Sequence, residues 1–560
     1  MVNLRRRAGR LVRRARHTVL GAGPGPVVGG AEPVTLPPAP RFERLPDLEP
    51  LPAARHVFVV GAVPRNFGGR TASILHKCRL LKELGGVDST IVTLNYSAEI
   101  DDIAADLRRR GLLVDGVEIV NLHDYFDGDS TAPVEVVRHE VDVPGLLKIR
   151  DPDQEVYRYF ENGVYRLYQR FDHEGRLIVR DWFNENRART RRDEFNRNGT
   201  VRRTTYMDLH HNRPRQEIFY RSDGTPYMNK WLAVNPTTLA SRVERITLLD
   251  GEGRPTEVLS SNVGLIQSYL AKLVGDDHVF LSVESRRSDG ETLTFSRPNV
   301  KHVYVLHNPH LVLPGSDLGA IRPTYLPLFE RRDDVDAIVF LTNAQRADAE
   351  AHFGEHANFR VIPHPVGAIA PAPFAERDAD LVVALARLDQ QKQLGHAVEA
   401  FARVVEAVPT ARLEIYGHGP DAQQLESQIA ELGLRGSVRL MGYTKDPGAV
   451  YRRAAVSVLT SKFEGFGLVL LESLANGCPV VSYDVKYGPG DIIADGVNGY
   501  LVEAGAKAAL AQRVVEVLTD QPLRRRLSEA AADVRTEFSE QAFVARWSQL
   551  FRDLDAQGWG

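Results

Sequence analysis

SKFEGFGLVLLESLANGCPVVSYDV, residues 461–485, decides how this chain folds. A short glycine loop, Phe463-Glu464-Gly465-Phe466-Gly467, opens an apolar helix pattern from Leu468 to Ala475. Asn476-Gly477 signals a helix C-terminus, and Pro479-Val480-Val481 starts a buried strand. Loop, helix and strand in this order build a parallel α/β sheet. The loop amides lie at the helix N-terminus, where unpaired N–H groups and the helix dipole favour an anion. Glu464 and Glu472 stand eight residues apart, a little over two helical turns, and so share roughly one face. A carboxylate beside an anion site suits the hydroxyls of a sugar or ribose, because ionised carboxylates accept strong hydrogen bonds. Glu472 falls within LVLLESLA, where a charge is costly without a partner.

EGFGLVLLE, residues 464–472, resembles the E-x7-E signature of family 4 retaining glycosyltransferases of the GT-B fold. The neighbouring SYDVKYGPGDIIADGVNGYLV, residues 482–502, is similar to the enzymes that glycosylate wall teichoic acids and to transferases that put N-acetylglucosamine on serine-rich adhesins. The resemblance implies an α/β chain with two Rossmann-like lobes facing a cleft. It also implies an antiparallel β-meander insertion in the N-terminal lobe, a UDP-sugar donor and no metal.

The 560 residues are too many for one core, and 43% hydrophobic with 26% charged residues is ordinary for a globular protein. A net charge of −3 carries no global field for nucleic acid. Cys78 and Cys478 exclude a disulfide scaffold and fit a reducing, cytoplasmic compartment. No apolar run approaches 18 residues, and no apolar core follows the basic start of the chain as a secretory signal requires.

Residues 3–17 carry seven arginines around Leu4, Ala8, Leu11 and Ala15 at helical spacing. Two readings fit: a basic amphipathic helix on an anionic membrane face, or a solvated basic tail. Pro and Gly make residues 21–53 a linker, so 1–53 reads as tail and linker. HVFVVGAV, residues 56–63, is a buried strand that leads through Gly68-Gly69 into a helix over residues 71–84. Residues 54–133 and 251–373 read as the N-terminal lobe, 374–535 as the donor lobe, and 536–560 as a helix returning to the N-terminal lobe. Between them, residues 134–250 alternate Tyr, Phe, Leu and Val with Arg, and turn signals fall about every twelve residues. This is the pattern of a β-meander. Its arginine-rich faces have two readings, a solvated sheet surface or a seat for polyanionic phosphate.

Arg387 and Lys392, five apart in a strand-to-helix loop, suit a nucleoside diphosphate and resemble the family's R-x4-K clamp. By resemblance, Gly68 and Gly69 face the donor diphosphate. Gly417 and Tyr443 lie at strand edges that hold base and ribose, and His307, just past a strand end, contacts the donor sugar. His310 matches the family pattern less well. The mechanism expected from these residues places charge stabilisation on Arg387, Lys392 and the amides of Gly465, Phe466 and Gly467. Glu472 binds ribose and Glu464 holds the sugar. Asp127-Gly128-Asp129 has the spacing of a metal motif but reads as a surface turn, outside the donor lobe. The acceptor expected is a hydroxyl of a polyol-phosphate polymer. The alternatives are a Ser/Thr-rich protein, or a non-catalytic partner that lacks the clamp residues, all of which are present here. A homo-oligomer is also expected.

Overall fold

The computed structural model describes residues 50–128, 136–312, 319–367, 369 and 373–560. The basic segment at residues 3–17, most of the proline- and glycine-rich stretch, and Asp129 lie outside the described residues.

Two parallel sheets dominate. The first has seven strands in the order Phe359–Val361, Ala337–Phe340, Val300–Val305, Val279–Val283, Arg55–Val60, Ser89–Thr93, Val117–Asn121. The second has six, in the order Val438–Gly442, Arg412–Tyr416, Asp378–Leu385, Ala454–Leu459, Val480–Asp484, Gly499–Glu503. Their strands are continuous apolar runs because helices cover both faces. Val57 to Val59 and Leu381 to Val383 are fully inaccessible. The helix Glu540–Ala556 crosses back, and Phe543, Trp547, Phe551 and Leu554 fill the core of the first lobe. Each such side chain contributes about 2 kcal/mol of burial.

Ten antiparallel strands from Leu147 to Leu259 form a sheet in strict sequence order. A repeated device closes its hairpins. Asp172 accepts the amides of Glu174 and Arg176, Asn184 those of Asn186 and Ala188, and Asp250 those of Glu252 and Arg254. An Asp or Asn that bonds the backbone two and four residues on fixes these turns and helps set the twelve-residue rhythm. Phe219, Tyr227, Met228, Ile246 and Leu248 join the first lobe's core, so this end of the sheet is fused to the lobe.

Most arginines on the sheet face neighbouring acids. Arg192 grips Asp181 with two bonds of 2.7 Å, Arg191 grips Asp193 at 2.9 and 2.7 Å, and Arg203 pairs with Glu194. These pairs neutralise the sheet face across strands, and along one strand for Arg191 and Asp193, so they serve the sheet first.

Candidate active-site cleft

The two sheets meet at their carboxyl edges. There Gly465 of the second lobe presses on the first: a Cβ at this position would stand 2.5 Å from the His307 carbonyl oxygen and 3.4 Å from Asn308 Cα. Only glycine lets these two loops touch. Nearby, Lys486 Nζ donates to both Asp348 oxygens at 2.7 and 3.0 Å, and the Tyr487 hydroxyl donates to Asp348 at 2.8 Å. The amide of Asn343 donates to Asp491 at 2.7 Å. The YGPGDII stretch is therefore a seam between lobes.

Within the second lobe, Lys392 Nζ donates to Glu464 Oε1 at 2.6 Å, and Ser461 Oγ donates to the same oxygen at 2.5 Å. Both members of the pair are largely covered. Gln391 Nε2 donates to the Phe463 carbonyl at 3.0 Å and Lys462 N to the Gln391 carbonyl at 2.8 Å, which ties the loop of Arg387 and Lys392 to the glycine loop. Arg387 stands exposed, held by Asp389 at 2.5 Å and Gln391 at 3.3 Å. Gly467, at φ +90°, turns the chain into the helix Leu468–Ala475, and Phe466 is buried beneath it. Glu472, on that helix, has its carboxyl pushed up to about 7 by burial. It lines a cavity of about 400 Å³ between the lobes, together with Gly69 and His364. Gly69 itself faces Leu468: a Cβ there would lie 3.7 Å from its Cδ1. Gly68 caps the helix Gly69–Glu83.

At the carboxyl edge of the second sheet, Gly417 has φ +148°, and a Cβ there would fall 1.8 Å from the Ala386 carbonyl oxygen. The strand end and the Arg387 loop can meet only over a glycine. Tyr443 is 70% exposed, its ring stacked on His418 at 6.0 Å. The cleft therefore gathers His307, Lys392, Glu464 to Gly467, Glu472 and Gly69. Arg387 and Tyr443 stand further out on the second lobe's edge. His310 is buried and stacks on Tyr487 at 5.9 Å, with its imidazole lowered to about 4 by burial.

The sequence reading missed a buried network behind His307. Its Nε2 donates to Glu284 Oε2 at 2.6 Å, and the other Glu284 oxygen accepts from Lys77. Burial works against the Glu284 charge, but Lys77 and His307 outweigh it and hold the carboxyl down at about 2. Burial lowers the His307 imidazole against the pull of Glu284, so the ring is neutral. With Nε2–H committed to Glu284, Nδ1 is the acceptor, and it has no partner among the described residues. Lys77 Nζ sits 4.3 Å from the Trp547 ring and 4.6 Å from Phe58. The sequence carried little signal of it: Lys77 lies among His76, Arg79 and Lys82 on a mixed helix, and Glu284 only follows the apolar strand Val279–Val283.

A cavity of about 990 Å³ opens from His307 towards the insertion, whose Arg203, Phe219 and Lys230 form its far wall. Among the described residues no cluster of metal-ligand side chains is found, and no helix is long and apolar enough to cross a membrane.

Two parallel α/β lobes with carboxyl edges facing across a cleft make this a GT-B fold, and residues 369–534 match the family model described as Glycosyl transferases group 1. The chain thus carries a group 1 glycosyl transferase domain as its second lobe. Among curated proteins it is 27% identical over 520 residues to the poly(glycerol-phosphate) alpha-glucosyltransferase of Bacillus subtilis (strain 168), covering 90% of this chain and 75% of that protein. It is 24% identical to the poly(ribitol-phosphate) alpha-N-acetylglucosaminyltransferase of Staphylococcus aureus (strain COL), covering 87% of this chain and 97% of that protein. Among solved structures, a S. aureus TarM mutant in complex with fondaparinux, alpha-GlcNAc-glycerol and UDP superposes with a TM-score of 0.76 at 23% identity. That match covers 89% of this chain and 99% of the other.

Proposed function

We propose that the protein is a cytoplasmic, metal-independent retaining glycosyltransferase that moves glucose or N-acetylglucosamine from a UDP-sugar to a hydroxyl of a polyol-phosphate polymer. The observation that carries the reading is the contact of Gly465 with the His307 carbonyl, which sets the helix-mouth amides and Lys392 against His307 across one cleft. The relatives' names support the sugar and the acceptor class, and the UDP in the TarM complex supports the nucleotide.

In this reading the leaving diphosphate lies on the amides of Gly465 to Gly467, with Lys392 and Arg387 spreading its charge. Glu464, already anchored by Lys392 and Ser461, accepts hydroxyls of the donor sugar, and Glu472 accepts those of the ribose. His307 Nδ1 accepts a further sugar hydroxyl. The acceptor oxygen attacks the anomeric carbon from the face the diphosphate leaves. Its proton passes to the departing phosphate oxygen, so no carboxylate nucleophile is needed. The lobe seam excludes water and so limits hydrolysis of the donor.

The test is a panel of radiolabelled UDP- and GDP-sugars with poly(glycerol phosphate), poly(ribitol phosphate) and a Ser/Thr-rich peptide, with product configuration read by NMR. Transfer from a UDP-sugar to a polymer with α linkage is expected. Transfer to the peptide alone, or inverted product, would overturn the proposal.

A further inference from the structure

We propose that Arg287 and Arg322 hold a phosphodiester of the acceptor chain, in the cavity that runs from His307 to the β-insertion. This rests on the polyol-phosphate reading and names the residues that would recognise the phosphate.

Charge pairing in the cavity is uneven. Six cationic side chains line it against three carboxylates, Glu217, Glu284 and Glu291. At the far wall Arg203 and Lys230 share Glu217, and Arg286 lies 3.3 Å from Asp289. Glu284 is taken by Lys77 and His307. Arg287 and Arg322 have no carboxylate within ion-pair reach among the described residues. On the insertion, by contrast, arginines such as Arg191 and Arg192 are matched to Asp193 and Asp181. With Arg70, which also has no ion-pair partner among the described residues, three unneutralised guanidiniums in one concave site leave a local positive field that an anion would relieve.

Their positions fit an acceptor. Arg287 lies three residues past Glu284, the partner of His307. Arg322 is anchored by its Nε on the Leu311 carbonyl at 2.8 Å, and its guanidinium lies 5.4 Å from the Phe463 ring of the other lobe. Both therefore flank the route to His307 from the insertion side. The planar fork of arginine matches two phosphate oxygens. Glu291 Oε2 is buried in the same wall with no hydrogen-bond partner among the described residues. Arg70 also lines the cavity, but it adjoins Gly68-Gly69 on the donor side.

A phosphate here has two sources, the acceptor diester or the donor diphosphate, and kinetics separates them. Initial rates of the full chain are measured with UDP-glucose or UDP-N-acetylglucosamine and with poly(glycerol phosphate), each varied in turn, for wild type, Arg287→Gln, Arg322→Gln and Arg287→Lys. Each Gln variant is expected to raise KM for the polymer about tenfold, the effect of one lost charge-assisted bond, with Arg287→Lys between it and wild type. KM for the donor should move less than about twofold on the same scale. A donor KM rising in step would assign the arginines to the diphosphate and overturn the proposal. An unchanged polymer KM would overturn it while leaving the polyol-phosphate reading intact. A wild type that glycosylates no polyol phosphate would overturn both.

Discussion

Replacing Lys77 with methionine tests whether His307 is held by a buried charge. The side chains of Lys77 and Glu284 are 5% and 0% exposed, so removing the cation strands a carboxylate in the core. Breaking such a pair from one side costs about 3–5 kcal/mol. The titration of Glu284 gives a similar figure. Its carboxyl sits at about 2 against an ordinary 4.5, with Lys77 the main force opposing burial, and that displacement corresponds to roughly 3 kcal/mol. Between these values the unfolded chain binds the extra proton. The stabilisation is therefore complete above about pH 4.5 and is lost as pH falls towards about 2. In Lys77→Met only His307 remains to oppose burial, so the Glu284 carboxyl shifts upward and its hold on the imidazole weakens. Calorimetry should show the first lobe melting about 5–10 °C lower, and kcat should fall with little change in donor KM. Lys77→Met/Glu284→Gln removes both charges and should recover most of the melting temperature. Its kcat stays low because no anion then fixes the imidazole. If the double variant is as unstable as the sum of the two single ones, the cost did not arise from a stranded charge, and the network reasoning fails.

Lys392→Ala should cut turnover at least ~100-fold in a radiolabelled-donor assay, and it should also lower stability because Glu464 loses its partner. Glu472→Gln should stabilise the free protein at pH 8 by about 3 kcal/mol. The raised carboxyl imposes no cost below about pH 4.5 and a growing one up to about pH 7. The same variant should weaken UDP binding about tenfold by calorimetric titration. Gly465→Ala puts a methyl 2.5 Å from the His307 carbonyl. It should lower kcat by about tenfold or more by forcing the loops apart, with the melting of each lobe little changed.

Parallel strands and their helices were legible because each is written locally, as an apolar run followed by a glycine loop and a helical pattern. The meander was legible for the same reason: several hairpins carry their own Asp or Asn, which bonds the amides beyond it. The glycine loop at residues 464–467, the clamp loop and Glu472 were visible as charges and glycines out of place in their surroundings. What the sequence could not show was pairing. Lys77, Glu284 and His307 are separated by 207 and 23 residues. Whether the insertion's arginines meet acids or solvent depends on strand register and side-chain reach: Asp181 stands opposite Arg192, while Asp193 answers Arg191 from two residues along the same strand. Local patterns fix elements because the forces behind them act within a few residues. A site is fixed by distances between elements, and burial and charge pairing set those distances only once the chain has closed on itself.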